Sequence, residues 1–372
     1  MASPALSLVE VDALDIIVII DNEIDILSTV PPNTVTNSGR MPNLSLSQPD
    51  NVHSRGDAKK EMPMEAICCG AHGLSILVVN SNKRQEETFN ALRCGPEEDA
   101  WERNAKRLGI DLASIERIQL SHWHRDHSAT YNYPGGMLKA IQMITTASSS
   151  ATGQVSPLAI DLHPSRPTYR GFMAGTTPIS MQADPSFSEM TSLGASISKN
   201  SETHTVLDDM FLVSGEIPRV TPYETGIKGG IRFEEDKGVW EKDEEIKDER
   251  FLVVNLKGKG LILFTGCSHG GVVNAALHAN SLFNNQIPLH AIVGGYHLVG
   301  EQEANIHSTV QDLKKLEPKV LLPGHCSGWR VKVEIEKEMP VLGLGLGFEW
   351  EDEEERGCVL VNVLGWEGHL DF

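Results

Sequence analysis

Within seven residues, Ser121-His122-Trp123-His124-Arg125-Asp126-His127, the chain places three imidazoles and a carboxylate. That donor set suits first-row divalent metals, which favour nitrogen and oxygen ligands. His122 and His124, two residues apart in extended chain, can point to one side and hold one ion. Asp126 and His127 can turn toward a second ion close by. A mononuclear site needs three or four protein ligands and a dinuclear one needs more, so distant side chains must complete the set. His269 and His325 are the candidates. They stand in Thr265-Gly266-Cys267-Ser268-His269-Gly270 and Pro323-Gly324-His325-Cys326, where small residues allow the backbone to come close to an ion. Cys267, His297 and His204 stay open between ligands and groups that orient a ligand. His278, His290 and His307 read as structural histidines, and Cys68 and Cys69 as core packing.

The elements that must carry these residues can be read from pattern. Residues 16–20, a β-branched run, and residues 73–79 read as strands; residues 97–108 read as a helix ending at Gly109. Residues 115–120 are strand-like, so the histidine motif falls in a loop at a strand's C-terminal end, where open α/β architectures bind ligands. In the second half, 251–256 and 260–265 read as a hairpin, 271–280 and 306–316 as helices, and 291–293 and 320–322 as strands. Each strand of this series runs toward a histidine: Thr265 to His269, Val293 to His297, Leu322 to His325. Residues 138–143 read as helix. Loop insertions are expected at 31–62, at the Ser/Thr/Ala-rich 144–157, and at the heavily charged 234–250, the last taken as a solvated excursion. No repeat of fixed period is present. The whole chain, 1–372, reads as a single elaborated α/β domain.

The 32 Lys and Arg against 51 Asp and Glu leave a net charge of −19. Such a field repels a phosphate backbone, so nucleic acid is not an expected partner. Six cysteines without a CxxC pair do not make a secreted disulfide framework. The N-terminal region carries Glu10, Asp12 and Asp15 before a short apolar run, unlike a secretory signal, and no stretch reaches the roughly 20 apolar residues that span a bilayer. The expectation is a cytoplasmic protein, monomer or homodimer, acting on a small molecule without a membrane partner.

His122-x-His124-x-Asp126-His127 after a strand resembles the signature of the metallo-β-lactamase superfamily, whose fold is an αββα sandwich of two mixed sheets flanked by helices. Further stretches resemble one branch, the dihydropterin ribofuranosylaminobenzene phosphate synthase-like proteins: Ser214-Gly215-Glu216-Ile217-Pro218-Arg219, Thr265-Gly266-Cys267-Ser268-His269, Gly294-Gly295-Tyr296-His297-Leu298 and Gly324-His325-Cys326-Ser327-Gly328. The resemblance implies that His122 and His124 bind a first metal, Asp126 and His127 a second, and that His325 is the C-terminal ligand. His269 falls where relatives supply a further ligand, often an acidic bridging one. Two departures stand out. Asn90 occupies the place of an aspartate that relatives use to support a ligand histidine, and residues 129–134 separate Ser128 from Gly135-Gly136.

The implied chemistry is hydrolysis, or a related metal-assisted transfer, with two divalent ions acidifying a water. Zinc is the expected metal, with manganese or ferrous iron as alternatives. Asp126 would orient the attacking water; His297 and Glu216 would serve as catalytic groups, and Arg219 and Arg330 would anchor substrate. The substrate could be phosphorylated or pterin-like, although fold and metal site do not fix it. Two other readings stand beside this: iron-dependent redox chemistry on the same ligands, and a binding protein in which the departures have disabled catalysis.

Overall fold

The computed structural model describes residues 8–24, 45–46, 49–50, 55–82, 85–92, 99–128, 136–152, 157–340 and 359–362. The expected 31–62 insertion lies largely outside them, as do the 129–134 segment and the side chain of Asn90.

Strands are numbered in chain order. One sheet joins β2 (Ala13–Ile20), β3 (Ser75–Asn82), β4 (Gln85–Leu92), β5 (Ile115–Gln119), β6 (Ala159–Leu162), β9 (Ser196–Lys199) and β18 (Val359–Asn362), in the order β18-β2-β3-β4-β5-β6-β9. The second joins β10 (His204–Val206), β11 (Phe211–Val213), β14 (Leu252–Leu256), β15 (Gly260–Phe264), β16 (Leu289–Gly295) and β17 (Val320–Gly324) in that order, with β1 (Glu10–Val11) beside β14. A four-stranded sheet, β13-β12-β7-β8, comprises β7 (Tyr169–Ala174), β8 (Thr177–Ser180), β12 (Gly230–Glu234) and β13 (Val239–Lys242).

Period-two alternation decides which face each strand buries. Leu252, Val254, Ile262, Phe264, Val293, Val320 and Leu322 pack with Ile16, Ile76 and Ile118 of the first sheet, so one core lies between the sheets. Their neighbours Val253, Leu261, Leu263, Ile292 and Leu321 face the other way, onto α5 (Val272–Leu282), α6 (Ile306–Lys315) and α7 (Trp329–Glu338). Helices α1 (Ala100–Arg107) and α3 (Gly136–Thr152) bring Trp101, Met137, Ile141 and Ile144 against the first sheet. Two further short helices are α2 (Arg125–Ser128) and α4 (Phe187–Ser192). The layers are helix, sheet, sheet, helix: an αββα sandwich. Among the described residues no helix is long and apolar enough to cross a membrane.

Two expected loops are corrected. Residues 144–152 continue α3 instead of leaving it. The hydroxyls that favour loops are satisfied within the helix: Thr145 Oγ1 donates to Ile141 O at 2.7 Å, Thr146 Oγ1 to Gln142 O at 2.6 Å and Ser149 Oγ to Thr145 O at 2.7 Å. Nor are residues 234–250 a solvated excursion throughout. They contain β13, and Asp248, Glu249 and Arg250 are buried, at 2%, 2% and 1% exposure.

The strand ends converge. β15, β16 and β17 run parallel in register, Phe264 opposite Val293 and Val293 opposite Leu322, so the loops bearing His269, His297 and His325 leave one edge side by side. Close approach there demands glycine: a Cβ on Gly295 would meet Gly266 O at 2.5 Å and Cys326 Sγ at 2.8 Å. His297 (φ 45°) and His325 (φ 51°) adopt left-handed backbone, which non-glycine residues enter at a cost that surrounding contacts must offset.

Candidate metal centre

Past the end of β5 the chain turns tightly at Trp123, His124 N–H donating to His122 O at 3.1 Å, and the side chains part. Trp123 is fully buried and donates its indole N–H to His163 O at 3.0 Å, whereas His122 and His124 turn together toward His269. Three ring nitrogens form a near-equilateral triangle: His122 Nε2 to His124 Nδ1 at 3.0 Å, His124 Nδ1 to His269 Nε2 at 3.0 Å, and His269 Nε2 to His122 Nε2 at 3.2 Å. Three nitrogens bound to one tetrahedral zinc at about 2.0–2.1 Å would stand roughly 3.3 Å apart, close to this spacing. Burial holds the imidazoles neutral, pushing His124 down to about 3 and His269 well below its ordinary value. Neutral rings keep the lone pairs a metal needs. The fit to an ion is therefore good on this chain's own geometry.

Beside it lies a second cluster, Asp126, His127, Cys267 and His325, with ligand atoms all within 4.8 Å of one another. Asp126 Oδ2 is 3.1 Å from His325 Nε2 and 3.5 Å from His127 Nε2, and Cys267 Sγ is 2.8 Å from His127 Nε2. Burial opposes charge on Asp126, yet His127, His325 and His72 together hold its carboxyl well below the usual carboxylate range. His269 thus joins the His122–His124 group and does not take a bridging place; the second cluster is completed by a thiol, from a residue the sequence left undecided.

The supports explain why the ligands stay put. Ser121 Oγ lies 2.7 Å from His122 Nδ1. Glu249 accepts from the backbone N–H groups of His269 (3.0 Å) and Gly270 (2.6 Å). Asp21, past the end of β2, accepts from His325 N at 2.6 Å, and Asn22 Oδ1 lies 3.0 Å from His325 Nδ1. Asp248 accepts from Trp123 N at 2.8 Å while Arg170, from β7, donates to Trp123 O at 2.7 Å, and the two are themselves ion-paired. One pair of opposite charges therefore grips both sides of the residue between the two ligand histidines. Arg250 performs a related task for β5, donating to Leu120 O at 3.0 Å and pairing with Asp161 at 2.8 Å.

Sequence reasoning missed Asp248, Glu249, Arg250, Arg170 and His72. His72 Nε2 stands 3.5 Å from Asp126 Oδ2, its ring 5.2 Å from that of His325. Nothing in a charged run distinguishes a carboxylate that will grip a ligand loop from one that will face water; for His72 the adjoining Gly73-Leu74 strand start was the available signal.

A cavity of about 550 Å³ opens over the two clusters, lined by His72, His124, Asp126, Cys267, His269 and His297 on the metal side. His297 packs its ring 4.4 Å from that of His269, and burial lowers it to about 4. Glu216, Arg219 and Arg330 do not line this cavity. Glu216 is solvent-exposed, 3.8 Å from Lys247; Arg219 donates to the Ile217 and Glu245 carbonyls; Arg330 pairs with Glu303 at 3.0 Å on the outer surface. Glu216 and Arg219 follow β11, Arg330 stands in the first turn of α7, and their side chains make contacts away from the two clusters. His204 stands apart from both clusters, 2.7 Å from Asp161, and His278, His290 and His307 join neither.

The layering and the placement of the site at the strand ends define the metallo-β-lactamase fold. The chain matches the solved structure of Tm1679, described as a metal-dependent hydrolase of the β-lactamase superfamily, with a TM-score of 0.55 and 20% identity, covering 89% of this chain and 93% of that one. In sequence it is 26% identical over 276 residues to the 7,8-dihydropterin-6-methyl-4-(β-D-ribofuranosyl)-aminobenzene-5'-phosphate synthase of Methanocaldococcus jannaschii, covering 70% of this chain and 82% of that protein. An uncharacterized protein of the same organism is 31% identical over 133 residues, 35% of this chain and 44% of the relative. No family model matches the chain.

Proposed function

We propose that this protein is a binuclear metallohydrolase acting on a small molecule, with zinc as its metal. The observation that carries the reading is the pairing of a three-nitrogen triangle, edges 3.0–3.2 Å, with a four-ligand cluster beside it at the floor of one cavity. His122, His124 and His269 would hold one ion, and Asp126, His127, Cys267 and His325 the other. The presence of a thiol in the second set favours zinc over manganese, because soft sulfur ligands select thiophilic ions. Bound there, two divalent ions supply Lewis acidity and bring a water's pKa toward neutrality.

The chain's own residues supply the rest. Asp126, held as a carboxylate between His72, His127 and His325, would accept a hydrogen bond from a water and so orient it toward the cavity. His297, half-buried at the cavity rim and held neutral by burial, is placed to steady a substrate oxygen by donating a hydrogen bond from its ring N–H. The grip of Arg170 and Asp248 on Trp123 keeps the two histidines in register with His269 without rearrangement on binding, which is what preorganisation requires. The relative's name gives a pterin-linked phosphate, which stands as one substrate class beside esters, lactones and simpler phosphoesters. A cytoplasmic setting belongs to the same proposal.

Elemental analysis of the purified protein tests it. Near two equivalents of zinc per chain are expected, falling in His122→Ala and in Asp126→Ala together with turnover. No retained metal after reconstitution would overturn the reading and return the protein to the binding-module alternative.

A further inference from the structure

Behind His269 lies a second, smaller chamber of about 20 Å³, set between the ligand loops and the segment that carries Glu224. His269 borders both this chamber and the large cavity. Its Nε2 is committed to the three-histidine triangle, so Nδ1 is the ring nitrogen left for the chamber. That atom is buried and has no hydrogen-bond partner among the described residues. A buried donor left unpaired forfeits its hydration, and a histidine that binds metal through one nitrogen donates from the other to a carboxylate, a carbonyl or a water.

The acceptor in reach is a carboxylate that sequence pattern gives no reason to notice. Glu224 is buried, and it caps α5 from 49 residues away: Oε1 accepts from Val273 N at 2.9 Å, and Oε2 from Asn274 N at 2.8 Å and Thr221 Oγ1 at 3.1 Å. A local serine or aspartate before the helix would cap it equally well. That place is held instead by Gly271, at φ 93°, where a Cβ would meet Glu224 Oε2 at 2.2 Å. Glycine therefore admits the glutamate side chain to within two residues of His269. Each oxygen of a carboxylate accepts about two hydrogen bonds, and Oε1 has capacity left after Val273. The other polar walls are engaged. Ser268 Oγ and Tyr296 OH donate to the Gly295 and Ile292 carbonyls, and Asn305 donates to Gln302. The hydroxyl of Thr309 also lines the chamber. A buried water needs about 10–15 Å³ and two to four polar partners, and the chamber meets both conditions.

We propose that Glu224 is the positioning residue of His269, acting through one ordered water that accepts the Nδ1–H of His269 and donates to the Glu224 carboxylate and to Thr309 Oγ1. The relay holds the imidazole in its Nδ1–H form and turns the Nε2 lone pair toward the triangle, with or without an ion there. It rests on the reading of His122, His124 and His269 as a metal site and extends that site to a carboxylate on its far side.

Nitrogen-15 correlation spectra of the histidine rings, recorded on the chelated full-length protein, read the relay in the absence of metal. His269 should carry its proton on Nδ1, with Nε2 bare, and that proton should exchange slowly and show a cross-peak to a long-lived water. In Glu224→Gln, which keeps the side chain's length, the proton should exchange faster, and zinc affinity at the three-histidine site should fall about tenfold, as when a group orienting a metal ligand is lost. Tyr223→Phe loosens the same segment by removing the 2.6 Å bond to Asp312, and it should leave the His269 signal and the zinc affinity as they are. A proton on Nε2 in the chelated wild type, or an Nδ1 proton exchanging as fast as that of an exposed ring, would overturn the proposal even if the Glu224 variant does not fold. Unchanged signal and affinity in a folded Glu224→Gln, or an equal loss in Tyr223→Phe, would reduce Glu224 to a helix cap and overturn it too. A wild type that shows the protected Nδ1 proton but takes up no zinc would keep the relay and remove the metal-site reading.

Discussion

At the scale of single residues, the site divides into what a motif can announce and what only a fold can assemble. His122, His124, Asp126 and His127 were legible because four donors in six residues have few structural uses. His269 and His325 were legible from glycine-flanked loops after strands, although which ion His269 serves was not, because grouping depends on how two sheets meet. Cys267 is the instructive case. Its Sγ lies 2.8 Å from His127 Nε2 and within the second ligand cluster, yet in sequence it reads equally well as a ligand or as a group that orients one. If the thiol binds the second ion, cobalt-substituted protein should display a thiolate-to-metal charge-transfer band that Cys267→Ser abolishes while one equivalent of metal remains. A band unchanged in the variant would remove sulfur from the ligand set. His269→Ala and His325→Ala should each cost one ion, from different clusters, read as metal per chain.

At the scale of elements, the strands and helices of the second half were readable because hydrophobic runs and alternation are local properties. The errors share a cause. Residues 144–152 looked like loop because Ser and Thr compete with the backbone, and they are helical because their hydroxyls bond the preceding turn. Residues 248–250 looked solvated because charge usually seeks water, and they are buried because each finds a backbone or ionic partner: Trp123 N for Asp248, His269 N for Glu249, Asp161 for Arg250. These partners lie between 20 and 125 positions away, beyond any window of pattern. The Arg170–Asp248 pair carries a prediction of its own. Both side chains are buried, so removing one leaves an uncompensated charge, and Arg170→Met should lose about 3–5 kcal/mol of unfolding free energy in denaturant titration. Replacing both, as Arg170→Met with Asp248→Leu, should recover part of that stability, since apolar packing can substitute for a buried pair while Asp243, 2.8 Å from Arg170, still loses its partner. It should not recover zinc affinity at the three-histidine site, because Trp123 would then have lost both anchors. Equal recovery of stability and affinity would show that the pair only packs.

At the scale of the whole molecule, buried histidines within the site and beyond it bring acid lability with them. The metal-free chain buries neutral imidazoles: His124 sits at about 3, His290 at about 4 and His297 at about 4, burial being the leading cause at each. An unfolded chain would protonate all three near 6.5. Below that value the unfolded state binds more protons than the folded one, so stability is full above about pH 6.5 and falls as pH drops toward 4. Each group contributes at most about 1.4 kcal/mol per pH unit inside that window. Asp126, held low by its histidine neighbours, extends the loss to more acid pH, since its contribution disappears only as the folded carboxylate itself protonates. Metal opposes this. An ion on the lone pairs of His124 and His269 stabilises the folded chain by about 2.7 kcal/mol at a hundredfold excess over its Kd, and protons must displace it. In melts recorded from pH 8 to pH 4, the chelated protein should begin to lose Tm just below pH 6.5. The zinc-loaded protein should hold its Tm to lower pH, with an onset that moves further down as free zinc is raised. Coincident onsets in the two forms, insensitive to zinc, would mean that these histidines do not bind metal in the folded state, and that their burial serves packing alone.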